Sequence, residues 1–211
     1  MTDPKRVVRD GYDAISDRYT AWSAEHDWAP RREHVKRLVE LLPSGAHVLE
    51  LGCGAGIPAT VELARHFDVT GVDISAAQLG RARENVPAAR FVHGDIASVD
   101  LPEGQFDAVA AFYSLTHVPR EEQPAVLARV ARWLRPGGLF VASLGAHGNE
   151  ATYERDWHGA TMFFSSFDAD TNLRLVNEAG FGVIDSAVIA QDEGELGTAT
   201  FCWVVARRRG N

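Results

Sequence analysis

Residues 48–56 read Val-Leu-Glu-Leu-Gly-Cys-Gly-Ala-Gly, and Asp73, in the run Gly71-Val72-Asp73-Ile74-Ser75, stands seventeen residues after Gly56. An apolar run ends in Glu50-Leu51, glycine then falls at positions 52, 54 and 56, and a helix pattern starts near Pro58. A second apolar run, Val69 to Val72, stops at the acid. Glycines let the chain turn sharply and let a ligand lie against bare main chain. The helix just beyond offers free N–H groups in its first turn, and an acid closing the next strand suits a ribose diol. Together these features predict a site for an adenosine-type nucleoside at the head of an alternating strand–helix fold.

The rest of the chain extends that alternation. Val8, Tyr12, Ile15, Tyr19 and Trp22, spaced four, three, four and three, share one face of an N-terminal helix. A second helix turns Val35, Leu38, Val39 and Leu42 inward, with Arg31, Arg32, Lys36 and Arg37 read as its outer face. Strands are expected at His47 to Leu51, Val69 to Val72, Arg90 to His93, Phe106 to Phe112 and Leu139 to Leu144. Helices are expected at Pro58 to His66, from a Ser75 cap to Val86, and from Arg120 to Leu134. Residues 145–167 show no clean period, yet hold Tyr153, Trp157, Met162, Phe163, Phe164 and Phe167. Asp168 starts a last helix ending at Gly180. Val183 to Ala190 and Thr198 to Ala206 then close the chain as strands joined by a polar turn. So short a link requires an antiparallel hairpin. The expectation is one α/β domain over residues 1–211, a doubly wound, mostly parallel sheet, with a helical lid at 1–30 and a substrate-side insert at 145–167.

Composition sets the outer limits. With 211 residues, 45% hydrophobic and 24% charged, the chain suits one globular domain with a sizeable core. A net charge of −8 argues against broad contact with nucleic acid or an anionic membrane. Arg207-Arg208-Arg209 reads as a solvated tail. Cys53 and Cys202 have no metal-ligand spacing and suit a reducing cytoplasm. No apolar run approaches a membrane span and no signal peptide is visible, so a soluble cytoplasmic protein, monomer or homodimer, is expected.

Glu50 discriminates among nucleotides. A dinucleotide loop usually reads GxGxxG around a pyrophosphate; the spacing here is GxGxG. A carboxylate about 5 Å from a phosphate charge costs roughly 3 kcal/mol at an effective dielectric near 20. The same carboxylate favours a ligand carrying an ammonium and a sulfonium. Glu50 to Gly56, Asp73, Gly94-Asp95-Ile96, the Phe106-Asp107-Ala108-Val109 strand and the Leu134-Arg135-Pro136-Gly137-Gly138 turn, in that order, resemble the class I S-adenosylmethionine-dependent methyltransferases, in particular small-molecule enzymes of bacterial secondary metabolism. The resemblance implies a Rossmann-like seven-stranded sheet in the order 3-2-1-4-5-7-6 with strand seven reversed.

It also implies roles. Gly52, Cys53 and Gly54 would line the methionine part of the cofactor, with Glu50 organising its amine. Asp73 would accept both ribose hydroxyls, and Ile74 would pack on the adenine. Gly94, Asp95 and Ile96 would read the adenine edge. Phe112, Tyr113 and Ser114 would end strand four under the sulfonium, with Tyr12, Tyr19 and His117 beside the cofactor. His117, Tyr19 and His158 are the candidate catalytic groups. Trp22, His147, Tyr153, Trp157, His158 and Phe163 are the candidate contacts for a small, planar methyl acceptor. No acidic pair follows strand five, so no metal is expected. The absence of a strong base leans the reaction toward nitrogen rather than oxygen. A non-catalytic cofactor-binding protein and a nicotinamide oxidoreductase are the alternatives.

Overall fold

The computed structural model describes residues 3–25 and 29–210; residues 1, 2 and 26–28 of the expected lid, and residue 211, lie outside it. In chain order the elements are α1 (Pro4–Glu25), α2 (Ala29–Leu41), β1 (His47–Leu51), α3 (Ala59–Ala64), β2 (Asp68–Asp73), α4 (Ala76–Asn85) and β3 (Arg90–His93). Then come β4 (Phe106–Ala111), α5 (Gln123–Trp133), β5 (Leu134–Gly145), β6 (Asn149–Trp157), β7 (Ala160–Ser166), α6 (Ala169–Glu178), β8 (Phe181–Asp192) and β9 (Thr198–Arg208). Seven strands form one sheet in the order β3-β2-β1-β4-β5-β9-β8. β9 runs antiparallel to both its neighbours, β5 and β8, while the pairs among β1 to β5 are parallel. This is the expected order, with β8 and β9 as its sixth and seventh strands.

The central strands are buried on both faces, which is why they read as continuous apolar runs. Along β4, Val109 and Ala111 join the core formed with Val126, Leu127, Val130 and Trp133 of α5 and Val176 of α6. Ala108 and Ala110 face Val35 and Leu38 of α2 and Leu63 of α3 on the other side. The period of two along a strand thus splits one apolar run between two helical layers.

The aperiodic stretch after β5 is a β-hairpin. β6 and β7 pair antiparallel through Tyr153↔Phe163 and Thr152↔Phe164. Met162 and Phe163 of β7 pack with Val8 and Ile15 of α1, and Trp157 joins the same cluster. Gly11 permits the contact: a Cβ there would lie 2.9 Å from the carbonyl oxygen of Thr161. β7 is buried between α1 and the turn after β4, while β6 is almost wholly exposed. Neither strand therefore carries a clean alternation, and the sequence signal is lost.

Two buried amides fasten the base of the hairpin. Asn172 Nδ2 donates to the carbonyls of Gly145 (2.8 Å) and Phe167 (3.1 Å). Gln123 Nε2 donates to the carbonyls of Leu115, Val118 and Ser165. The Arg207-Arg208-Arg209 triplet is not a free tail: its guanidinium groups donate to the carbonyls of Gly137, Leu134 and Asn177 respectively. Among the described residues no helix is long and apolar enough to cross a membrane.

Asn172→Ala leaves two buried carbonyls without their donor. A loss of about 2–3 kcal/mol is expected, seen in urea titration as a lower midpoint with an unchanged slope.

Candidate functional site

The carboxyl ends of β1, β2 and β4 open into one cavity roofed by α1. Its floor is the loop Gly52-Cys53-Gly54, with Glu50 beneath. Asp73, Ile74, Asp95 and Ile96 form one end; Phe112, Tyr113, Ser114 and His117 form the side after β4. Lys5, Val8, Tyr12, Tyr19, Thr20 and Ser23 come from α1, and Arg31 from α2. Gly52 has φ +73, and a Cβ there would fall 2.3 Å from the Ser114 Cβ. Only glycine lets the loop clasp the end of β4, where Ser114 Oγ donates to the Leu51 carbonyl at 2.7 Å.

Asp73 is buried and accepts two main-chain N–H groups, from Gly54 (2.8 Å) and Ser75 (2.9 Å). Burial raises its pKa, and those two donors pull the other way. Ser75 Oγ accepts the Gln78 N–H as the α4 cap and donates to Asp13 of α1 at 2.6 Å. Asp13 also accepts the Ala77 N–H (3.1 Å), a carboxylate placed where the helix dipole favours it.

The cap leaves Gln78 in an unusual position. In a Ser-x-x-Gln box the glutamine reaches back to the cap N–H. Here Asp73 holds that donor. The Gln78 side-chain amide is buried, finds no partner among the described residues, and has its Oε1 4.0 Å from where a Gly54 Cβ would lie.

Glu50 accepts from Thr60 Oγ1 at 2.6 Å. Burial pushes its pKa up to about 7, and Thr60 and Arg31 only partly offset this. Arg31 is itself 7% exposed, with its guanidinium carbon 5.7 Å from the Tyr113 ring centroid. Tyr113 has φ +59, a strained value for an aromatic residue worth about 1–3 kcal/mol. Its N–H donates to Ser143 Oγ (2.6 Å) and its hydroxyl to Gln191 Oε1 (3.0 Å).

His117 is neutral and fully engaged. Its Nδ1 lies 2.8 Å from the Phe163 carbonyl, which only accepts, so Nδ1 carries the proton. Nε2 is then the acceptor for the Tyr12 hydroxyl at 2.9 Å. Burial lowers the His117 pKa to about 4. Burial also raises Tyr12 and Tyr19.

Thirteen of the residues expected from the sequence to hold the cofactor or act beside it meet in this cavity: Tyr12, Tyr19, Glu50, Gly52, Cys53, Gly54, Asp73, Ile74, Asp95, Ile96, Phe112, Tyr113 and Ser114. His117 joins them. Gly94 lies behind the wall, donating its N–H to the Asp73 carbonyl. The six expected acceptor contacts are elsewhere. Trp157 and Phe163 are in the core between α1 and the hairpin. Trp22 and His158 meet at a tilt beside Tyr19, with ring centroids 4.7 Å apart. Tyr153 is 44% exposed on β6, and His147 is exposed. The reason is that the hairpin packs on α1 rather than on the mouth of the sheet. Arg31 corrects the reading of α2: spaced four and seven residues from Val35 and Leu38, it shares their inner face.

This geometry, a glycine clasp, an amide-bonded acid and a buried carboxyl at the strand ends, defines a nucleoside-cofactor site of the methyl-transfer kind. A family model described as a methyltransferase domain matches residues 48–138. An uncharacterized methyltransferase of Synechocystis is 31% identical over 190 residues, 79% of this chain and 88% of the relative. The trans-aconitate 2-methyltransferase of Deinococcus radiodurans is 31% identical over 183 residues, 77% of this chain and 67% of the relative. The solved structure of the 1,6-didemethyltoxoflavin-N1-methyltransferase of Burkholderia thailandensis, with 1,6-didemethyltoxoflavin and S-adenosylhomocysteine bound, has a TM-score of 0.72. It is 23% identical, and the match covers 100% of this chain and 92% of that one. The chain belongs to the class I S-adenosylmethionine-dependent methyltransferases and is a small-molecule enzyme of that family. Family membership displaces the nicotinamide alternative.

The Glu50 carboxyl has a pH signature. It stays protonated in the folded chain up to about 7, against about 4.5 when unfolded. Its stabilising contribution is fully present below the unfolded value and is lost as pH rises through about 7. Glu50→Gln removes that slope, so its stability relative to wild type rises between about pH 4.5 and about pH 7 in urea titrations and levels off above that.

Proposed function

We propose that this enzyme methylates a nitrogen atom of a small, planar heteroaromatic acceptor held between Phe112, Tyr19 and Tyr113. The observation that carries this is the state of His117, with one ring nitrogen donating to Phe163 and the other accepting from Tyr12. Among the described cavity groups, the tyrosines are raised above their ordinary values and His117 is too weak a base at about 4. Burial brings Glu50 to about 7, and in this reading it is taken by the cofactor. A nucleophile that brings its own lone pair needs no base; alignment and water exclusion suffice. The N1-methyltransferase named above is consistent with this reading.

The residues present fit the cofactor. Glu50 sits under the loop as an acid for an ammonium group. Asp73 keeps lone pairs beyond its two main-chain bonds for a ribose diol. Ile74 and Ile96 offer apolar faces for a base, and Asp95 an acceptor for its amine. When bound, the cofactor supplies a methyl group already activated on a sulfonium. The chain's part is to close α1 over it, with Tyr12 fixed by His117 so that its oxygen presents lone pairs to the cavity.

A second reading is a carboxylate oxygen acceptor, which likewise needs no base. Arg31 in the cavity wall favours it, as does the likeness to the trans-aconitate enzyme.

Calorimetry with S-adenosylhomocysteine is expected to show binding that Asp73→Ala weakens by about 2 kcal/mol or more, roughly 30-fold. Affinity also falls as pH drops below about 7, because protonated Glu50 cannot pair with an ammonium. Isotope-labelled S-adenosylmethionine incubated with paired azoles, carboxylic acids and phenols, read by mass spectrometry, separates the readings. Methylation confined to phenols overturns both.

A further inference from the structure

Lys5 lies in the first turns of α1 and lines the cavity at its Asp95 end. Its ammonium sits 2.9 Å from Asp95 Oδ2 and 2.5 Å from Glu122 Oε2. The three residues belong to three separate elements. Asp95 is on the loop after β3, held by the Ala97 N–H (2.8 Å) and Ser98 Oγ (3.2 Å). Glu122 is the residue just before α5. The side chains are 25%, 20% and 39% exposed, so the bridge is partly withdrawn from water and only partly screened. Burial alone would depress the Lys5 pKa, but the hydrogen bonds to Glu122 and Asp95 outweigh it and hold the cation charged.

Among the described residues the other polar ties on α1 lie further along it: Tyr12 on His117, Asp13 on Ser75, Ser16 and Asp17 on Arg81, and Arg18 on the His158 carbonyl. Lys5 is therefore the tie nearest the N-terminal end of the roof. It also spends part of the carboxylate assigned above to the adenine amine. Opening the roof over that end requires both ion pairs to break.

We propose that the Asp95–Lys5–Glu122 bridge is a gate on cofactor exchange, with Lys5 the positioning residue that holds α1 down over the nucleoside. The proposal rests on the reading of Asp95 as the adenine-end acceptor. A gate differs from an ordinary contact in its kinetics. Weakening a gate speeds entry and exit together and leaves the equilibrium nearly unchanged. Losing a contact speeds exit alone.

Stopped-flow measurement of S-adenosylhomocysteine association and dissociation on the full-length protein tests this. Lys5→Met is expected to raise both rate constants by about tenfold, with Kd within about threefold of wild type. Raising salt from about 50 to about 500 mM does the same to wild type and little to the variant. Lys5→Arg keeps the slow exchange. Glu122→Gln cuts one limb and leaves Asp95 intact, so it also speeds both rates, and it serves if Lys5→Met folds poorly. Rate constants unchanged in both Lys5→Met and Glu122→Gln, or a faster exit with unchanged entry, overturn the gate. Asp95→Ala tests the underlying reading separately: if it leaves affinity for S-adenosylhomocysteine unchanged, the assignment of Asp95 fails whatever Lys5 does.

Discussion

One buried carboxylate, Asp73, organises the site. By accepting the N–H groups of Gly54 and Ser75 it ties the glycine loop after β1 to the end of β2 and to the start of α4. Ser75, freed from capping by Gln78, caps α4 itself and reaches Asp13 on α1. A single side chain thus links loop, sheet, helix and roof. The price of burying it is a raised pKa, which the two amides limit. Without those donors a charge in that position would be neutralised rather than presented to a ligand.

The cavity is also electrostatically divided. Its nucleoside end holds Asp73 and Asp95, the latter shared with Lys5. Its other half holds Arg31 against Tyr113, with Glu50 between the two halves and near its own titration point. A cationic cofactor is matched to the acidic side. In the proposed reading, the ring faces and the guanidinium take a planar, electron-rich acceptor.

Most of the fold was legible because its signals are local. Apolar runs ending in turns located the parallel strands, and the short polar link before Thr198 forced the antiparallel pair β8–β9. The residues that line the cavity after β1, β2 and β4 were legible because they lie on short loops next to those strands. What failed was tertiary. The hairpin of β6 and β7 has no period because its inner strand is covered on both faces and its outer strand on almost none. Of its aromatics expected at the acceptor, Trp157 and Phe163 lie in the core under α1 and Tyr153 is exposed. Arg31 was placed outside because charge outweighed its spacing, although positions 31, 35 and 38 mark one helical face. Gln78 and Lys5 gave no sequence signal at all: one matters through a displaced hydrogen bond, the other through two carboxylates about 90 and about 117 residues away in the chain.

The close seating of Gly11 on β7 has a wider consequence. Roof and hairpin share one interior and must shift together, so the exposed outer strand acts on the cavity only as ballast behind α1. Residues 150–156 form the exposed side of that unit, tied in by the Arg120–Glu150 pair and by Tyr153 against Phe163, so a change there reaches the roof only through the strand beneath it.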